Sequence, residues 1–380
     1  MGPLAGLTVI EIKALGPAPY AAMLLADLGA EVVVVSNPAV PPAVPAERDI
    51  ACRGKRSVAL DLKSEAGLAA LLALIERADV LIEGFRPGVA ERLGFGPEVC
   101  HKRNPRLVYG RMTGWGQDGP LAQRAAHDIN FIALTGAQAA IGTAEQPVPP
   151  LNLVGDFGGG SMFLVMGILA ALYEVRESGQ GQVVDAAITD GVASLMSIVH
   201  TLHGLGAWSV RRERNIMDGA APNYGVYATA DGKHVAVGPI EPPFYRLLLE
   251  KLGLDPAMVK AVRDPANWPA QREALAAAFK SKTRAEWDAV FEGSDACYAP
   301  VLDIEEAPEH PHNRARGTYI EVGGQVQPAP APRFSRSVPL QPAASVAEGS
   351  DTAAVLAEFG LDEATVRAVL EGNAVLSKKS

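Results

Sequence analysis

The sequence predicts an α/β protein with a large domain on a mostly parallel sheet and a smaller α+β domain after it. Three observations carry this expectation. Short β-branched runs alternate with helix-like segments from Leu7 to Gly110, the rhythm of βαβ units. At 380 residues the chain exceeds what one core ordinarily holds, so two domains are expected. After about residue 190 the pattern turns to short helices around a hairpin.

In chain order, Leu7–Ile12 reads as a strand, Tyr20–Leu28 as a helix and Glu31–Val35 as a second strand. Ser64 stands as an N-cap before Leu68, Leu71, Leu72 and Ile75, whose spacing makes one apolar stripe. Asp79–Gly84 and Arg106–Gly110 give further strands, and the glycine-rich Met112–Gly119 follows as a loop. The outcome expected is a doubly wound, Rossmann-like sheet. No Gly-x-Gly-x-x-Gly follows the first strand, which argues against a nicotinamide cofactor. Met162–Tyr173 is the longest apolar run, too short to cross a bilayer, and reads as a buried core helix. Val192–Leu205 is helix-like, and Gly225–Val237 reads as a hairpin turning at Asp231-Gly232. Helices are expected at Pro243–Leu252, Pro269–Lys280 and Arg284–Glu292, and Pro328–Pro332 as a stiff connector. Thr352–Gly372 has helical periodicity and is expected to return to the first domain. The expected divisions are a large domain at 1–190, a connector at 191–223, an α+β domain at 224–325 and a return segment at 326–380.

A hydrophobic content of 48% and 20% charged residues fit a packed globule. The net charge of −9 argues against non-specific nucleic-acid binding. The N-terminus has no charged start followed by an apolar block, so no signal peptide is expected. Cys52, Cys100 and Cys297 lack metal spacing and fit reduced thiols in a cytoplasm. His310 and His312 have no identifiable metal partners. No metal, no membrane and no nucleic-acid partner is expected.

Chemistry is suggested by three polar motifs. His127 lies in Ala-His-Asp-Ile-Asn-Phe, Asp156 precedes Phe157-Gly158-Gly159-Gly160-Ser161, and Glu241 sits in Ile-Glu-Pro-Pro. Histidine and carboxylate are the side chains most readily tuned to exchange protons near neutral pH. Each motif also has a plainer reading. Asp156 serves as a helix N-cap with glycines that permit close packing, His127 and Asp128 form a structural pair, and Glu241 is a solvated turn residue. Arg53, Lys55, Arg56 and Lys63, with Arg86 and Arg92 after a strand, suggest phosphate binding beyond the strands' carboxyl ends. A mixed solvated surface competes with that reading, because Glu83, Glu91 and Glu98 alternate with the last two.

Taken together, the motifs resemble the family III CoA-transferase superfamily, and within it the α-methylacyl-CoA racemases. The carriers include Leu60-Asp61-Leu62-Lys63, Ile82-Glu83-Gly84-Phe85-Arg86-Pro87-Gly88, Arg111-Met112-Thr113-Gly114-Trp115-Gly116-Gln117, His127-Asp128-Ile129-Asn130, Asn152-Leu153-Val154-Gly155-Asp156-Phe157-Gly158-Gly159-Gly160, Gly181-Gln182-Val183-Val184-Asp185-Ala186 and Ile240-Glu241-Pro242. The resemblance spans nearly the whole chain.

It implies racemisation at C2 of a 2-methylacyl-CoA thioester through an enolate, without a cofactor, since CoA is part of the substrate. His127 and Asp156 would be the two acid/base faces and Glu241 the carboxylate that orients His127. The thioester oxyanion would take donors near Gly158–Gly160. The implied CoA contacts are Leu60, Asp61, Leu62, Lys63, Gly84, Phe85, Arg86, Arg92, Ala126, His127, Asp128, Ile129, Asn130 and Phe131. An interlocked homodimer is implied, with Glu241 of one chain reaching His127 of the other. Asp156 also matches the covalent acyl carrier of the transferases, so it does not discriminate; His127 and Glu241 are the racemase-like marks. A CoA-transferase and a non-catalytic acyl-CoA binder are the alternatives. Asn37 in place of an arginine, Ala126 in place of a glycine and Asn223 in place of an aromatic depart from the racemase pattern.

Overall fold

The runs that read as strands pair into one parallel sheet. In the computed structural model, which describes residues 1–377, its strands are β1 (Thr8–Ile12), β2 (Glu31–Ser36), β3 (Lys55–Ala59), β4 (Val80–Glu83), β5 (Val108–Thr113) and β6 (Val183–Ala187). Their order is β3-β2-β1-β4-β5-β6, every neighbouring pair parallel. The order reverses between β1 and β4, and in such sheets a crevice opens there beyond the strands' carboxyl ends. The helices between strands are α1 (Pro17–Asp27), α2 (Glu65–Glu76), α3 (Val89–Arg92) and α4 (Pro97–Arg103). Ser64 caps α2 as its sequence indicates, accepting the Gly67 N–H at 3.0 Å, and Leu71, Leu72, Leu74 and Ile75 enter the core.

β3 was not legible as a strand, because its sequence is Lys-Arg-Ser-Val-Ala and reads as surface. It is the edge of the sheet, and the C-terminal segment covers it. Asp351 accepts the Ser57 N–H at 2.8 Å, and Thr352 accepts that of Ala59 at 3.0 Å. Those contacts blunt an edge that would otherwise invite pairing with another chain. This segment carries helices Thr352–Glu358 and Glu363–Ser377 and falls in the same compact unit as the sheet.

The chain divides into two compact units. The first holds residues 1–135, 151–195 and those from Gly317 onward; the second holds 136–150 and 196–316. The cuts differ from the expected 190, 224 and 325. The hairpin β10 (Tyr319–Val322) and β11 (Gln325–Pro328) belongs to the first unit, where Gln327 accepts from the buried Arg53 at 2.8 Å. Residues 136–150, with α6 (Ala137–Ala140), join the second because Arg212 donates to Thr143 O at 2.6 Å and to Ala139 O at 2.9 Å.

In the second unit β7 (Gly225–Ala228), β8 (His234–Val237) and β9 (Tyr298–Pro300) form an antiparallel sheet. Gly232 takes φ 78° in the β7–β8 turn, the left-handed conformation that made Asp-Gly a hairpin signal. Tyr227, Leu248, Leu275, Phe279 and Trp287 form this unit's core. Asn223 is buried and donates to Pro239 O at 2.9 Å, so the amide in place of an aromatic ties down the hairpin's approach.

Candidate active site

The Asp156 motif folds otherwise than its glycines suggest. Leu153–Ser161 is π-helical and continues into α7 (Met162–Ser178), so Asp156 lies inside a helical run and is not its N-cap. Gly158, Gly159 and Gly160 are also interior, where N–H groups point along the axis to preceding carbonyls. The glycine oxyanion nest is therefore corrected. Close packing explains them instead: a Cβ on Gly159 would lie 2.4 Å from Val192 Cγ2, and one on Gly160 3.1 Å from Ile188. Val192 and Ile188 belong to α8 (Ile188–Leu195), which ends where the expected single helix 192–205 breaks at Met196. The joined helix runs 26 residues and is long and apolar enough to cross a membrane, unlike the shorter run read from sequence. Within this unit it sets Leu164, Ile168, Ala171 and Val175 into the core.

The first-turn donors of the π-helix are satisfied from outside. Asp128 accepts the Asp156 N–H at 2.7 Å and that of Gly155 as well. A Cβ on Gly155 would sit 2.1 Å from the Asp128 carboxylate, so this junction requires glycine. Asp128 opens α5 (Asp128–Leu134), with His127 in the N-cap position; Asn130 Oδ1 accepts the His127 N–H at 3.1 Å. One carboxylate thus fixes the loop carrying His127 to the helix carrying Asp156. On the other side, Gly16 takes φ 74°, and a Cβ there would lie 3.1 Å from Asp156 Oδ2.

These residues line an open cleft of about 390 Å³ at the carboxyl end of the sheet. Its walls include Gly84, Phe85 and Arg86 from the β4 exit, Trp115 from the β5 exit, and Ala126, His127, Asp128, Phe131 and Asp156. The Trp115 and Phe131 rings meet edge-on at 4.7 Å. Burial, then the neighbouring Asp128 carboxylate, push the Asp156 carboxyl above the usual range, while Asn152 and His127 work against the rise. Asp128 is raised too, by burial, against the two N–H groups it accepts. Two adjacent carboxyls with raised affinity for protons, beside an imidazole, form a group able to give and take a proton.

Not every residue expected to contact CoA lines this cleft. Leu60 is fully buried core, and Leu62 packs against that core. Asp61 is spent on a turn, accepting the Lys63 N–H at 3.0 Å. Lys63, Arg92, Ile129 and Asn130 are exposed and do not line the cleft. The phosphate-binding reading of Arg53 and Lys55 is overturned. Arg53 pairs with Asp27 at 2.6 Å and Lys55 with Glu11 at 2.5 Å, all four nearly inaccessible. Arg56 pairs with Glu31 at 3.0 Å and with Glu358 at 2.5 Å. Glu241 lies in the second unit, exposed, at the N-cap of helix Pro242–Leu252. Asn37 is exposed just past β2, its side chain accepting the Ala39 N–H at 3.0 Å. Sequence reasoning missed Arg124, which lines the cleft. Among the described residues the Arg86 and Arg124 guanidinium groups enter no ion pair or hydrogen bond with protein. No motif marked Arg124; only its position ahead of His127 pointed there.

The fold and this cleft define an α/β protein with a histidine- and carboxylate-lined cleft at the end of its parallel sheet. Residues 4–350 match the family described as CoA-transferase family III, and the chain belongs to that family. It is 45% identical over 364 residues to an alpha-methylacyl-CoA racemase of Mus musculus, covering 95% of this chain and 94% of that one. It is 43% identical to the Homo sapiens protein of the same name, covering 94% and 93%. An acetyl-CoA:oxalate CoA-transferase of Acetobacter aceti is 32% identical, covering 86% and 88%. Among solved structures, a CAIB/BAIF family protein from Brucella suis superposes with a TM-score of 0.79 at 25% identity, covering 94% and 99%.

Proposed function

We propose that the protein racemises 2-methylacyl-CoA thioesters by proton transfer at C2. The observation that carries this reading is the cleft in which His127, Asp128 and Asp156 meet beside Phe85 and Arg86. The thioester acidifies the C2 hydrogen. One of His127 and Asp156 removes it as a proton, leaving the electron pair in an enolate; the other returns a proton to the opposite face. With the glycines inside a helix and the His127 N–H held by Asn130, the enolate oxygen is assigned to the backbone N–H groups of Ala126 and Asp128, two residues that line the cleft. Arg86 and Arg124 hold the CoA phosphates. No cofactor enters any step.

The protein acts as a homodimer in the cytoplasm, with the partner's Glu241 reaching His127. Leu153, Met162, Met166 and Tyr173 support the dimer, because they leave a large apolar face exposed along one helical run. The overall identity to proteins named as racemases favours this chemistry over transfer of CoA between acids.

The decisive experiment incubates one enantiomer of a 2-methylacyl-CoA in deuterated water without any acceptor acid. Deuterium is expected at C2 together with loss of optical purity. His127→Ala and Asp156→Ala are each expected to slow both by at least about 10³-fold with the fold retained. Movement of CoA onto an added free carboxylate, with no deuterium at C2, assigns the protein to transfer instead. Full activity in either variant overturns the two-face mechanism.

A further inference from the structure

Beneath the cleft lies a polar network that proton transfer does not use. Arg111, near the end of β5, is almost wholly buried and reaches three segments. Its Nη1 donates to Gln117 Oε1 at 2.7 Å, Nη2 donates to Glu91 of α3, and Nε lies 3.4 Å from Glu83 Oε1. Its guanidinium rests 5.3 Å above the Tyr109 ring. Glu83 ends β4 with 2% exposure, and its other oxygen accepts the Phe85 N–H at 2.6 Å. Gln117 closes the loop holding Trp115, and its own N–H donates to Asp185 at 3.0 Å. Phe85, Arg86 and Trp115, which line the cleft, are therefore all attached to groups gathered around Arg111.

Among the described residues, two donors of the network go unmatched. Arg111 Nε and Gln117 Nε2 are buried without a partner. Glu83 Oε1 lies 3.4 Å from Nε, too long for a good hydrogen bond. A buried cation separated from a carboxyl by that gap closes it when the carboxyl ionises, because attraction is strong where water is excluded.

We propose that Arg111 and Glu83 are positioning residues that clamp the Phe85–Arg86 and Trp115 walls, and that ionised Glu83 tightens the cleft around the CoA portion of its ligand. This rests on the cleft holding a CoA ester, and it adds a pH dependence to that reading. Burial pushes the Glu83 carboxyl up to about 7 against the Phe85 N–H and Arg111, while Glu91 and Asp185 add to the rise. Together with the buried Tyr109 phenol of β5, those groups, from α3, β5, β6 and the β4 exit, are the charged and polar neighbours that face it. The change of state accordingly falls within the neutral range.

Coenzyme A itself is the probe, with its Kd measured by calorimetry at pH 6 and pH 8.5 for the wild type, Glu83→Gln and Arg111→Lys. Ionisation of CoA itself contributes equally to all three, so the comparison isolates the clamp. The wild type is expected to bind more tightly at pH 8.5, and Glu83→Gln to lose at least about threefold of that ratio. Arg111→Lys, which keeps the charge but not the fork, is expected to raise Kd about tenfold at pH 8.5. The same pH ratio in Glu83→Gln as in the wild type overturns the proposal, as does unchanged binding by Arg111→Lys. If the lysine variant does not fold, Gln117→Leu replaces it, with Kd raised about threefold expected and an unchanged Kd overturning the clamp. CoA binding with this pattern but no isotope exchange at C2 would remove the racemase reading and leave the clamp standing.

Discussion

Two groups of basic residues meet opposite fates. Arg53 and Lys55 are neutralised inside the first unit by Asp27 and Glu11, whereas Arg86 and Arg124 line the cleft with their guanidinium groups unpaired among the described residues. Arg111 stands between the two cases, buried like the first pair and adjoining the cleft like the second. The difference lies in partners. A cation whose hydrogen bonds are already made inside the protein is a structural element, and one without them is available to an anion.

Removing Arg53 should break that comparison most visibly. Arg53→Ala leaves Asp27 charged and buried, so a loss of about 3–5 kcal/mol in a denaturant titration is expected. A loss below about 1 kcal/mol would mean that Arg53 is not structural. Glu83→Gln tests the intermediate case through stability. The Glu83 carboxyl is raised in the fold, so the folded state binds more protons than the unfolded one between the two pKa values. Its contribution is fully present below the ordinary carboxylate range and is lost as the pH rises through about 7. The wild type should therefore lose stability over that window, by on the order of 3 kcal/mol, and the glutamine variant should not. Parallel melting curves against pH for the two proteins would refute this.

In the cleft, Arg86→Ala and Arg124→Ala should each raise the KM for an acyl-CoA about tenfold, leave kcat nearly unchanged and shift Tm little. A thioester of a short thiol without phosphates should show no such penalty. The smallest effect belongs to Arg56. Its pairs with Glu31 and Glu358 are exposed, so Arg56→Ala should cost less than about 1 kcal/mol.

Much of the fold was legible because it is written in local periodicity. The β-branched runs at Thr8–Ile12 and Glu31–Ser36, the Ser64 cap and the Asp231-Gly232 turn all encode structure in neighbouring residues. Lys55–Ala59 escaped because its charges are answered by partners distant in sequence, and the triple glycine misled where it was taken for a helix start with free N–H groups. Only the approach of Val192 and Ile188 explains why those positions carry no side chain. Within the site, the motifs identified His127, Asp156 and the Gly84–Arg86 exit, but gave no sign of Arg124.

By itself the sequence determined the βαβ architecture and the His127 and Asp156 motifs, since spacing and residue type are local properties. Only the tertiary structure decided which charges are spent and which are free, and that Asp128 joins the two motifs through the N–H of Asp156. Hydrogen bonds and ion pairs between distant segments exist only once the chain has folded, and they set what each charge can do.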